Sequence, residues 1–123
     1  MVKLFIVIGS LSALAGVALG AFAAHMLKSK LTPELFNVFE VGVRYHLIHA
    51  LGIFVVAWVM AHLPDANVSL AGWLFVGGIT IFSGSLYVLS LTGARWLGAL
   101  TPVGGLCFLA GWGWLAWRAW KSM

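Results

Sequence analysis

The chain has 123 residues, 63% of them apolar and only 8% charged, whereas soluble domains are about half apolar and about a quarter charged. A mean hydropathy of +1.06 excludes a soluble globular domain. The formal charge of +4 does not point to nucleic acid, because the seven Lys and Arg stand singly at the ends of apolar runs, where they anchor helix ends at the headgroup level.

One crossing needs about 20 apolar residues. The chain therefore reads as an all-α integral membrane four-helix bundle with short loops, a single domain over residues 1–123. The first crossing is assigned to residues 4–27, which carry no formal charge. Ala21-Phe22-Ala23 resembles a signal cleavage pattern, but the apolar run exceeds a usual h-region, so a retained span is expected. Ser12, Gly16, Gly20 and Ala24 recur at every fourth position, and such a small-residue ridge lets another backbone approach closely. His25 ends the run about 100° round the helix from Ala24, which leaves its direction open.

Thr32-Pro33-Glu34 combines an N-cap, a first-position proline and a first-turn acid, a strong helix-start signal. Residues 33–42 are amphipathic and suit an interfacial segment, either separate from or continuous with a second crossing at 45–63. Glu40 and Arg44 are spaced to pair across one turn. Arg44 points about 140° from His49 and about 160° from His46. Either the histidines face the bundle while Arg44 snorkels beside Glu40, or the reverse holds; the polar stripe of Asn37, Glu40 and Arg44 favours the first.

Pro64-Asp65-Ala66-Asn67 is a tight turn by composition. The third crossing, 69–91, gathers Ser83, Ser85 and Tyr87 in its second half and stops at Thr92-Gly93. In the last segment Thr101-Pro102 either kinks a helix begun at Trp96 or starts one, with Thr101 as N-cap. The second is favoured, giving a crossing at 102–120 and a short irregular or interfacial piece at 94–100. Gly104 and Gly111 offer a second close-contact face. Trp112, Trp114, Trp117 and Trp120 then read as an aromatic belt with Arg118 and Lys121. Cys107, the one cysteine, reads as a small buried residue.

With four crossings the termini and the Pro64 turn share one side of the membrane. The other, loop side collects His25, Arg44, His46 and His49 with Ser83, Ser85, Tyr87, Arg95 and Thr101. Basic residues divide almost evenly, Lys3, Arg118 and Lys121 against Lys28, Lys30 and Arg95, so no positive-inside excess exists.

The segments GAFAAHMLK, VRYHLIHA, SGSLYVLSLTG and LGALTPVGGLCFLAGW, taken in order, resemble a small bacterial inner-membrane family of unknown function whose members also occur as a small eukaryotic transmembrane protein. The resemblance covers essentially the whole chain. It implies a multi-pass protein of the bacterial cytoplasmic membrane and no established activity, cofactor or catalytic residue.

His46 and His49 share a helical face at i, i+3, and imidazole suits Zn, Cu or haem iron. No acid or cysteine ligand accompanies them, so no metal and no cofactor is expected. No acid sits at mid-depth for an ion relay, and no spacing sets a nucleophile beside a base. The expected function is non-enzymatic, with the nine loop-side residues forming a site for a lipid headgroup or small anionic amphiphile. Membrane lipids are the expected partners. The alternative is a structural or assembly role in a membrane complex, with a homo-oligomer or other membrane protein held by the faces around Gly16 and Gly104. A transporter subunit or a metal or haem protein is a further, lesser reading.

Overall fold

Local chemistry sets the helix ends. Thr32 is extended (φ −60°, ψ 154°) and its hydroxyl accepts the Leu35 N–H at 3.3 Å, while Pro33 occupies a position whose N–H would be unpaired in any residue. Gly93 takes the left-handed conformation (φ 72°) that L side chains avoid, and its N–H reaches Leu89 O at 2.7 Å. This closes the preceding helix. Asn67 does the same for the tight turn at φ 50°.

The computed structural model describes residues 1–123. It contains four helices: α1 (Val2–Leu27), α2 (Pro33–His62), α3 (Ser69–Thr92) and α4 (Thr101–Ser122). All four spans, the last counted from Arg95, are long and apolar enough to cross a membrane. There is no strand. The amphipathic segment at 33–42 is the continuous start of α2.

A short 3-10 turn, Arg95–Ala99, precedes α4. Arg95 reaches Glu34 across the loop end of the bundle at 3.4 Å. At the opposite end Arg118 Nε donates to Ala66 O at 2.6 Å, and Phe5 packs on Trp73 with ring centroids 5.3 Å apart. Both termini therefore lie with the Pro64 turn.

Two helices contain π-helical turns. Lys28 N–H bonds Ala23 O at the end of α1, and in α3 the turn Ile79–Ser83 is closed by Gly84 N–H to Ile79 O. Each i→i−5 bond admits one extra residue and re-aims the side chains that follow.

The apolar core is divided. A larger cluster toward the termini includes Phe5, Ile53, Val56, Phe75, Phe108 and Leu115, and a smaller one toward the loops joins Ala23, Leu27, Phe39 and Val43. At Gly16 and Gly104 the small-residue faces are filled within the chain. A Cβ on Gly16 would lie 2.6 Å from the Leu47 side chain, and one on Gly104 would strike the Phe82 backbone. Close packing of this kind is how transmembrane helices gain contact energy without a hydrophobic drive between them.

Candidate functional site

Between the two apolar clusters lies a layer of polar ties. His46 is 6% exposed and joins three helices: Nδ1 meets Tyr87 Oη on α3 at 2.8 Å, and Nε2 meets Ser12 Oγ on α1 at 3.1 Å. At the end of the π turn, Ser83 Oγ donates to Gly42 O on α2 at 2.7 Å. Ser85 Oγ spends its hydrogen on Phe82 O at 2.8 Å, so it accepts from Thr101 Oγ1 at 2.7 Å. Thr101 thus ties α4 to α3 and is not the N-cap expected of it; Leu100 holds that place without a side-chain bond.

His49 takes the fourth helix. Its Nδ1 lies 2.7 Å from Tyr45 O, and its Nε2 receives the Trp112 indole N–H at 3.0 Å. A carbonyl only accepts and an indole only donates. The ring is therefore neutral with its proton on Nδ1. It stacks on Phe108 with centroids 3.5 Å apart and planes 8° from parallel.

The nine expected residues do not form one pocket. His46, Tyr87 and Ser83 lie together, with Ser83 Oγ bonded to Gly42 O, while Ser85 with Thr101 and His49 with Trp112 make separate ties. His25 is exposed and makes no side-chain hydrogen bond, Arg44 is exposed, and Arg95 is held by Glu34. No three His, Cys, Asp or Glu side chains come close enough to hold a metal. Ser12 and Trp112 were not among the expected site residues. Ser12 reads as a small ridge position, and Trp112 as one of a belt, although it lies about 12 Å nearer the helix start than Trp120 at the standard rise.

His46 stands about 20 Å along α2 from Pro33.

An apolar groove of about 660 Å³ opens beside His49, bordered by Tyr45 and Ile48 of α2, Phe82 of α3, and Gly105, Leu106 and Trp112 of α4. From Pro102 to Trp112 it runs about 15 Å, close to one leaflet of a hydrocarbon core about 30 Å thick. Tyr45 is 40% exposed, and its hydroxyl makes no hydrogen bond within the chain.

Arg44 lies on another face of α2. The α1 contacts fall on Val43, Leu47 and Ala50, and the α3 and α4 contacts on Gly42, His49 and Gly52. The ridge of Asn37, Arg44, Leu51 and Val55 is left exposed. The expected Glu40–Arg44 pair is not made, since neither has an opposite charge within 4.0 Å. Arg44 lies about 16 Å along α2 from Pro33. An arginine at the centre of a membrane-spanning helix costs about 3 kcal/mol on insertion scales.

Comparison with known proteins fits this architecture. The family described as "Protein of unknown function (DUF423)" matches residues 19–105. The "UPF0382 membrane protein YwdK" of Bacillus subtilis is 49% identical over 111 residues, covering 89% of this chain and 90% of the relative. The "UPF0382 membrane protein SH2409" of Staphylococcus haemolyticus is 47% identical over 110 residues, 89% of each. No solved structure matches. A matching stretch that takes in the loop end of α1, α2, α3 and the start of α4, with near-full-length relatives on top of it, makes this multi-pass chain a member of the DUF423 family of membrane proteins.

Proposed function

We propose that this protein is a non-enzymatic binder of a membrane amphiphile in the bacterial cytoplasmic membrane, with the apolar tail held in the groove between α2 and α4. The observation that carries this reading is the groove itself. Its volume of about 660 Å³ falls in the range of small-molecule sites, roughly 300–1,000 Å³, and its walls are rings and aliphatic side chains.

The polar end of the amphiphile lies at the groove mouth. There Pro102 opens α4 with no side chain capping its first turn, and the Tyr45 hydroxyl is free to donate. A helix start carries partial positive charge, which favours an ester or anionic group over a cation. The non-enzymatic reading is supported by the polar layer. The hydroxyls of Ser83 and Thr101, both ring nitrogens of His46 and Nε2 of His49 are engaged in ties between helices, and the Ser12–His46 pair, a hydroxyl beside an imidazole, serves as one of these ties. The helical architecture and the bacterial relatives support the cytoplasmic membrane.

Native mass spectrometry of gently solubilised protein tests the reading. A Cβ at Gly105 meets nothing nearer than Phe82 at 3.9 Å, so Gly105→Trp fills the groove without disturbing the helices. Retained lipid should fall about tenfold, equivalent to about 1.4 kcal/mol. Gly113→Trp, with nothing within 4 Å of its Cβ, should retain lipid as the native chain does. Equal retention by Gly105→Trp and the native chain would reject the groove.

A further inference from the structure

We propose that the exposed ridge of α2 carrying Asn37, Glu40 and Arg44 is the contact surface for a second copy of this chain. Of the three, Asn37 and Arg44 are exposed and Glu40 is half-buried, and none makes a side-chain hydrogen bond or ion pair within the chain. Along α2 they lie about 6, 10 and 16 Å from Pro33, so with the amphipathic start of α2 at the headgroups the ridge runs from that layer toward the hydrocarbon. Below it the exposed face continues as Leu51 and Val55.

Ionisable groups at this depth normally face protein or water and pair with one another. Within the chain the pairing is not made, although Glu40 and Arg44 are one turn apart. A second copy supplies it. Two molecules inserted the same way round are related by a two-fold axis along the membrane normal, which makes the contact self-complementary. Side chains tilt toward the start of their helix, which for α2 is the loop end. Both Glu40 and Arg44 tilt this way, and the longer arginine side chain reaches one turn back to the level of the partner's Glu40, so that the same pair forms a second time across the axis. Asn37 faces the partner's Asn37 nearer the surface, where two amides can exchange hydrogen bonds.

The ridge carries one acid and one base at the contact, so the two copies neutralise each other without another partner. An anionic lipid headgroup without an ammonium would take up Arg44 alone and leave Glu40 unpaired.

Disulfide cross-linking of the full chain in native membranes tests the assignment, with Cys107→Ala removing the one native thiol. Asn37→Cys should yield a product of twice the chain mass under mild oxidation, and Val88→Cys, exposed on α3, should not. Glu40→Arg and Arg44→Glu should each lower the cross-linked fraction about tenfold, and the double exchange should restore it to within about twofold, since loss of a desolvated charge pair is recovered only when the pair is re-formed. Three outcomes overturn the proposal: no product from Asn37→Cys, a product containing a chain of another mass, or no recovery in the double exchange. The last would leave Arg44 as a lipid anchor. Gly105→Trp should leave the cross-link unchanged, so a failure of the groove reading and a failure of the interface are told apart.

Discussion

Trp112 carries the one indole N–H that ties α4 to α2, and its acceptor, His49 Nε2, has no other partner. Replacing it by Phe keeps the ring contacts with Phe75 and His49 but leaves a buried nitrogen unpaired. Trp112→Phe should cost about 1 kcal/mol, read as a lower midpoint for reversible unfolding in mixed micelles. His46 behaves differently, because it bridges two hydroxyls that can each donate or accept. Ser12→Ala and Tyr87→Phe act on one ring, so their effects should fail to add by about 0.5 kcal/mol or more. A double variant whose loss equals the sum of the singles would show that the three side chains are not coupled. The helical step separates Arg44 from both imidazoles and the polar stripe of Asn37, Glu40 and Arg44 favours the imidazoles on the bundle side, where the structure buries them. The helical step did not say that His46 meets α1 and α3 while His49 meets α4, because a partner is chosen by neighbouring helices whose phase a single segment does not carry.

At the scale of elements, the start of α2 was the most legible feature. Thr32 caps α2 as its spacing from the first turn requires, and Thr32→Ala should lower stability by about 1 kcal/mol. Close packing was legible as a pattern but not as a set of partners. Gly104 and Gly105 are adjacent and look alike in the sequence, yet a Cβ on the first strikes the Phe82 backbone and one on the second stands 3.9 Å from a ring atom. Gly104→Leu should therefore destabilise by about 1–3 kcal/mol or more, while Gly105→Leu stays within about 0.5 kcal/mol, compared by the fraction of monodisperse protein surviving a heating series. The π turns were not legible at all. Ile79–Ser83 reads as ordinary apolar helix, and the extra residue is absorbed because α2 and α4 supply acceptors and contacts for what it re-aims, Gly42 O for Ser83 and Thr101 for Ser85.

For the whole molecule, the Glu34–Arg95 pair and the Arg118–Ala66 bond define opposite ends. In a Cys107→Ala background, thiols at Lys28→Cys and Arg95→Cys should react with a membrane-impermeant maleimide from one compartment, and those at Lys3→Cys and Lys121→Cys from the other. Labelling of Lys28→Cys and Arg95→Cys from different sides would dismantle the bundle topology.

Composition and the spacing of apolar runs by themselves determined that the chain is helical and crosses a membrane four times, because only a helix satisfies its own backbone hydrogen bonds in lipid. They also placed the polar residues on particular helices. The depth and partition of those residues were decided by tertiary packing alone. Helices of unequal length slide until small residues meet bulky ones, and that register, not the order of the chain, set the polar ties at mid-bundle and opened the groove beside Tyr45. The same register left Arg44 on an uncovered face.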